Sequence, residues 1–345
     1  MGKNCLFYLH NTFEDNHYAL ASFVQTMQAQ GVYYTFVAKR FLSNRFATIW
    51  NSMCCIEVMN LPLWDGFWQK YKLIHAVYDG NPALAVCMTS YMFNIPFVLS
   101  FHGGYDTNYK IFLPEMKEKV RCCVERSYYT TVVCHSDREA LISLGCPAEK
   151  IVITPPAIDL SILPKPCEMK NKRISVVGRF IEKKGIDIAV RALALLDSEY
   201  TLDIIGDGEQ KDFLHQIAVE HKLQDRIRWR GELPLEEVLK IVANSRFFWH
   251  PARRAADGNA EGIPQVLIYA LALQRICIAT NSGHIRDLIE NIDGSVLIEP
   301  DNPEELALTT LAMEPLQASI NRSEIVQQYS IDSQLKNWLI IYDLF

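Results

Sequence analysis

The sequence predicts an α/β protein of two domains, each a mainly parallel sheet wrapped by helices. Three observations lead there. Apolar runs of strand length alternate with helix-length amphipathic stretches in both halves, which is the pattern of βαβ units. Prolines interrupt the alternation near the middle, at Pro155-Pro156 and Pro164-Lys165-Pro166. The chain has 345 residues, 49% of them apolar, enough for two cores.

In order, residues 5–10 read as a first strand, 15–30 as an amphipathic helix closed by Gly31, and 32–39 as a second strand. Residues 97–101 are a further apolar strand, followed by His102-Gly103-Gly104. After Lys172 the alternation resumes, with strands at 174–177 and 202–205 and a helix at 265–273. The tail, 332–345, is apolar with helical character. There is no internal repeat and no low-complexity tract.

Composition excludes several classes. A formal net charge of −6 leaves no basic excess to neutralise a nucleic-acid backbone. The ten cysteines contain no C-x-x-C, and no signal-peptide pattern precedes them, so they read as reduced thiols in a cytoplasmic protein with no metal site. No apolar run reaches the length of a membrane span; residues 266–280 are broken by Gln274-Arg275. Residues 41–71 alternate Phe41, Trp50, Trp64 and Trp68 with Arg40, Arg45 and Lys70. They admit two readings: a surface making peripheral membrane or acceptor contact, or an aromatic core edged by solvated cations.

Three segments of the second half carry chemistry. An apolar run ends at Gly178, Arg179 follows, and Lys184-Gly185 precede the next apolar stretch. A strand releasing into such a turn presents two cations at the carboxyl edge of a sheet, where open α/β sheets bind ligands; the alternative is a solvated basic turn. A second strand leaves into Gly206-Asp207-Gly208, where backbone can approach a ligand closely. As a dinucleotide motif it fails, because the third glycine would fall at Lys211, which argues against a nicotinamide oxidoreductase. The third segment runs from His250-Pro251 to Glu261-Gly262-Ile263-Pro264 and opens a helix whose N-terminus suits a phosphate. Glu261 there reads either as a capping residue or as a sugar ligand.

Together these segments resemble the retaining glycosyltransferases of the GT-B fold, the family-four group (glycosyl transferases group 1). The resemblance rests on Gly178-Arg179 with Lys184-Gly185, on Gly206-Asp207-Gly208, on Glu261-Gly262-Ile263-Pro264, and on Ser282-Gly283-His284-Ile285-Arg286-Asp287. It continues more thinly through residues 71–106, ending His102-Gly103-Gly104-Tyr105-Asp106. It implies the GT-B architecture: two Rossmann-like doubly wound domains with a cleft between them. Residues 1–165 would form the acceptor-side domain, with a C-terminal helix at about 330–345 packing back on it, and 170–329 the nucleotide-sugar donor domain.

The resemblance also implies roles. Arg179 and Lys184 would hold the donor diphosphate, Glu261 would accept hydrogen bonds from sugar hydroxyls, and His102 would contribute a hydrogen bond beside the transferred sugar. Gly178, Gly206, Asp207, Gly208, Gly262, Ile263, Pro264 and Gly283 would line the donor, and Gly103 and Asp106 the acceptor side. No cofactor is implied, only a nucleoside-diphosphate sugar as substrate. The sequence contains no Asp-x-Asp, so a route without metal fits, with positioned cations stabilising the leaving diphosphate.

Two departures stand out. Tyr269 occupies the place where the family carries a second glutamate for the ribose diol, and a phenol cannot offer a bidentate carboxylate. Altered nucleotide contact or weaker donor affinity is therefore expected. The glycine-rich loop usual after the first strand is replaced by residues 10–15. The expected function is sugar transfer from a nucleotide sugar to a glycan or lipid-linked saccharide in cell-surface polysaccharide, including lipopolysaccharide, biosynthesis. The alternative is a non-catalytic nucleotide-sugar-binding or scaffold protein of the same descent.

Overall fold

The structure is a computed structural model and describes residues 3–9, 32–38, 72–77, 81–102, 110–165, 171–290, 292–315 and 322–342. The chain divides into two compact units, Met1–Ala157 with Ile331–Phe345, and Ile158–Ser330. The aromatic-basic segment 41–71 and the expected helix at 15–30 lie outside the described residues, as do Gly103 and Asp106.

The first unit holds β1 (Lys3–Leu9), β2 (Val32–Ala38), β3 (Leu73–Val77), α1 (Asn81–Phe93), β4 (Phe97–Ser100), α2 (Pro114–Arg126), β5 (Tyr129–Val132), α3 (His135–Ser143) and β6 (Ile151–Ile153). Its six strands pair in parallel in the order β2-β1-β3-β4-β5-β6. β4 is buried along its whole length, because a parallel sheet covered on both faces needs a continuous apolar run. Phe97, Leu99 and Phe101 pack with Val120 and Val124 of α2, while Val98, on the opposite face of the strand, packs elsewhere.

The second unit holds β7 (Arg173–Val177), α4 (Ile186–Ala194), β8 (Thr201–Ile205), α5 (Lys211–Glu220), β9 (Ile227–Gly231), α6 (Leu235–Ala243), β10 (Phe247–His250), α7 (Gln265–Ala272), β11 (Ile276–Thr280), α8 (Ile285–Ile289), β12 (Ser295–Ile298), α9 (Pro303–Met313) and α10 (Arg322–Tyr329). Its strands are parallel in the order β12-β11-β10-β7-β8-β9. The order reverses between β7 and β10, and that reversal opens the crevice where doubly wound sheets take ligands. Alternate side chains feed two cores. Phe247, Trp249, Ile276 and Ile278 join one; Phe248, Cys277 and Ala279 join the other.

The chain changes unit earlier than the prolines suggested. Ile158 is buried in the second unit's core, beside partly buried Leu160, Ile162 and Leu163. Its N–H donates to the Tyr329 carbonyl at 2.8 Å. Residues 158–165 therefore belong with the second unit and not with 1–157.

The last helix, α11 (Ile331–Tyr342), lies with the first unit. Ile341 is buried against Leu73 and Val98, with Leu335, Trp338 and Leu339 packed around them. The Trp338 ring lies 5.2 Å from that of His75 on β3. His75 is buried and shares a 2.6 Å hydrogen bond with Ser100 Oγ, which is 2.6 Å from Thr131 Oγ1. Burial, reinforced by the nearby His102, lowers His75 to about 3, so it stays neutral. Among the described residues no helix is long and apolar enough to cross a membrane.

Removing the buried part of Ile341 leaves a void between helix and sheet. Ile341→Ala is expected to cost about 2–4 kcal/mol, read as an earlier urea midpoint of the first unit.

Candidate active site

β7 and β10 are neighbours at the reversal of strand order, so the loops leaving them meet. β7 runs through Gly178 and Arg179 into a single 3-10 turn, Glu182–Lys184, ended by Gly185 in the left-handed conformation (φ 60°). A Cβ on Gly185 would lie 1.8 Å from the Pro251 carbonyl oxygen, so only glycine lets this turn close on the loop after β10. That loop is fastened along its length. The Arg253 N–H donates to the Lys183 carbonyl at 2.9 Å, the Ala256 N–H to Glu182 Oε2 at 3.2 Å, and Arg253 pairs with Asp187.

The fastening carries Glu261 to the lysines. Lys184 Nζ lies 3.0 Å from Glu261 Oε2, and Lys183 Nζ lies 3.6 Å from Oε1 while donating to Asn259 Oδ1 at 3.3 Å. His250 Nε2, at the end of β10, is 4.0 Å from Oε2. The Glu261 side chain is only 6% exposed. Burial alone would raise its pKa; Lys184, then His250 and Lys183, overcome burial and hold the carboxyl at about 2. Burial lowers Lys183, Glu261 opposes that, and the charges of Lys184 and Arg179 lower it further. His250 is lowered by burial to about 4. Lys183 and Lys184 thus meet at one carboxylate, with Arg179 close enough to Lys183 for its charge to act there. The excess positive charge suits a di-anion. Arg179 itself is exposed.

The glycines serve loop contacts. The Phe180 N–H donates to the Asp207 carbonyl at 2.8 Å and the Gly178 N–H to Ile205 at 3.0 Å. Gly206 has φ 137°, and a Cβ there would fall 2.0 Å from the Gly178 carbonyl oxygen. Gly208 meets the Phe180 backbone at 2.8 Å in the same way. In this structure their lack of a side chain admits neighbouring backbone. Asp207 is taken up by the Gly208 N–H at 2.8 Å and by Lys211 Nζ at 2.7 Å.

Gly262, Ile263 and Pro264 lead into α7, with Pro264 immediately before its first residue. Gly283 has φ 61° and would place a Cβ 2.0 Å from the Glu261 carbonyl oxygen, which also accepts the His284 N–H at 3.1 Å. The turn before α8 therefore backs Glu261. Tyr269 is buried in α7, and its hydroxyl accepts the Asp159 N–H at 3.3 Å.

Of the residues singled out by sequence, Lys184 and Glu261 meet directly, with Gly178 beneath the Lys184 stem and Gly283 behind Glu261. His102 belongs to the first unit, exposed just beyond β4. Lys183, Asn259 and His250 join the site without having been assigned to it. The adjacent Lys-Lys was the available signal, since one tight turn can aim two neighbouring stems at the same group.

Residues 164–320 match the family model described as Glycosyl transferases group 1, and residues 57–162 that of Glycosyltransferase Family 4. The amylovoran biosynthesis glycosyltransferase AmsK of Erwinia amylovora is 31% identical over 217 residues, 59% of this chain and 52% of that protein. The chain spans about half the length of the curated relatives it matches. The fold matches Anabaena HepE crystallised with UDP, with TM-score 0.77 at 16% identity, covering 99% of this chain and 100% of that one. It also matches sucrose-phosphate synthase from Thermosynechococcus elongatus, with TM-score 0.78 at 14% identity over 99% of each chain. The two doubly wound α/β domains are thus those of the GT-B fold.

Two outcomes are expected at this site. Gly206→Ala costs about 1–3 kcal/mol from backbone conformation alone, with the clash against Gly178 added, and lowers the urea midpoint of the second unit. His250 is near 4 folded against 6.5 in the free chain, so its contribution is full above pH 6.5 and is lost as the pH falls through about 4. The second unit therefore loses stability between pH 6.5 and 4, by about 3 kcal/mol at most from this group, read as a falling urea midpoint, and His250→Gln flattens the slope.

Proposed function

Since the chain belongs to the glycosyl transferases group 1 family, we propose that it transfers a sugar from a nucleoside-diphosphate sugar to a glycan or lipid-linked saccharide in polysaccharide biosynthesis. The reaction proceeds with retention and without a metal ion. The observation that carries this reading is the pairing of Lys183 and Lys184 with the buried Glu261 at the reversal of the strand order, with the charge of Arg179 acting on Lys183. AmsK, a relative, is an amylovoran biosynthesis glycosyltransferase, and Anabaena HepE has been crystallised with UDP-glucose.

In this reading the donor diphosphate lies against Arg179 and Lys184, with the backbone N–H groups opening α7 directed at it. As the anomeric bond breaks, charge grows on the departing phosphate. Fixed cations stabilise that charge without having to reorganise, by about 3 kcal/mol per donor in comparable oxyanion sites. Glu261, ionised across the working pH range, accepts hydrogen bonds from sugar hydroxyls. A sugar lacking the matching hydroxyl leaves a buried carboxylate oxygen unpaired, and this penalty selects the substrate. His102, with Gly103 and Asp106, serves the acceptor side. A phosphate oxygen of the leaving group takes the acceptor proton on the same face. Tyr269 stands where a carboxylate would grip the ribose and contributes at most one hydrogen bond there.

The test is a thermal-shift panel of UDP-, GDP-, ADP- and dTDP-sugars in EDTA, repeated with Mg²⁺. One nucleotide is expected to raise the melting temperature by several degrees near 100 Kd, a gain of about 2.7 kcal/mol, equally in EDTA. Arg179→Ala abolishes the shift. A shift that needs Mg²⁺ overturns metal independence, and no shift with any sugar overturns donor binding.

A further inference from the structure

Resting on that reading, we propose that Lys183 is a positioning residue. It is the standing counter-ion of Glu261, and it frees Lys184 to leave the carboxylate for the donor diphosphate. The geometry divides the work between two neighbouring lysines. Lys184 sits 3.0 Å from Oε2, its stem lying over Gly178 beside Arg179, where the diphosphate is expected. Lys183 reaches the other oxygen, Oε1, at 3.6 Å and is held from two sides by the loop that carries Glu261. Its ammonium donates to Asn259 Oδ1 at 3.3 Å, and its carbonyl accepts the Arg253 N–H at 2.9 Å. Asn259 is fixed in turn, its N–H on Asp257 Oδ1 at 2.8 Å and its carbonyl on the Ala255 N–H at 2.8 Å.

A ligand that attracts Lys184 would strand a buried carboxylate if Lys184 were its only partner, and an unpaired buried charge is costly. His250, 4.0 Å away, is neutral at working pH and supplies no compensating charge. Lys183 does supply it, because its tether is the loop and not the ligand. Glu261 then stays ionised and in place to accept the sugar hydroxyls while Lys184 turns to phosphate.

Two experiments test this. The first needs no ligand: a double-mutant cycle of Lys183→Met and Glu261→Gln, read as urea midpoints at pH 7. Lys183→Met is expected to lower the midpoint in the native background and to leave it nearly unchanged beside Glu261→Gln. Additive effects would overturn the counter-ion role. The second compares UDP, GDP, ADP and dTDP with UDP-glucose, GDP-mannose, ADP-glucose and dTDP-glucose by calorimetry. The nucleotide the protein takes should bind Lys183→Met within about threefold of wild type, while the extra affinity of its sugar conjugate falls about tenfold, the worth of one charge-assisted contact. Lys183→Arg should restore it. Equal weakening of nucleotide and conjugate would make Lys183 a phosphate ligand and overturn the assignment. A wild type that binds none of the probes would overturn the nucleotide-sugar reading and the transfer of Lys184 with it, whatever the cycle gives.

Discussion

The ion pair between Glu261 and two consecutive lysines is the constraint on which the second unit's loops depend. A carboxylate with a 6% exposed side chain persists only where cations and hydrogen bonds replace its water. Both cations come from one turn after β7, and the carboxylate comes from the loop after β10. These strands are neighbours because the sheet reverses its order there. Topology therefore brings opposite charges together across a gap of 77 residues, at the reversal of strand order where such sheets take ligands.

Bringing these loops together requires main chain to lie on main chain. Gly185 against Pro251, Gly206 against Gly178, Gly208 against Phe180 and Gly283 against Glu261 are four contacts that a Cβ would break. Each of the four has positive φ, so conformation and space make the same demand. The result is a platform in which the cations are aimed by backbone geometry. Electrostatic stabilisation of a leaving group depends on that property, because charges already in place need not reorganise as the bond breaks.

Much of this was legible in the residues. The alternation of apolar runs located β7, β8 and α7 to within a residue or two, because buried parallel strands are written as uninterrupted apolar segments. The apolar tail was legible as a helix, while its return to the first unit was implied only by the resemblance; α11 packs there through Leu335, Trp338, Leu339 and Ile341. Motif order placed Lys184 and Glu261 in the site separately, one toward the diphosphate and the other toward the sugar, and not against each other. Lys183 and His250 were not placed, because their part in the site depends on which way a single turn faces and on how deep the strand end lies; for Lys183 the adjacent Lys-Lys was the available hint. The glycines of 206–208 were read as room for a ligand, whereas the room is filled by the neighbouring loop. A glycine announces close approach in a sequence but does not name what approaches. The unit boundary moved to Ala157 for a similar reason: prolines mark where the backbone stiffens, while Ile158 and its bond to Tyr329 decide which core the next residues join.

The sequence by itself determined the class of fold, the order of elements in the second half, and the presence of cations and a carboxylate near strand ends. These follow from local periodicity and from residue chemistry, which travel with the chain. Only the tertiary structure decided that Glu261 is ionised in a buried setting, that His250 beside it is neutral, and that two lysines share the one carboxylate. Protonation and pairing are set by distance and desolvation across strands far apart in sequence, and these quantities come into being only when the sheet is assembled.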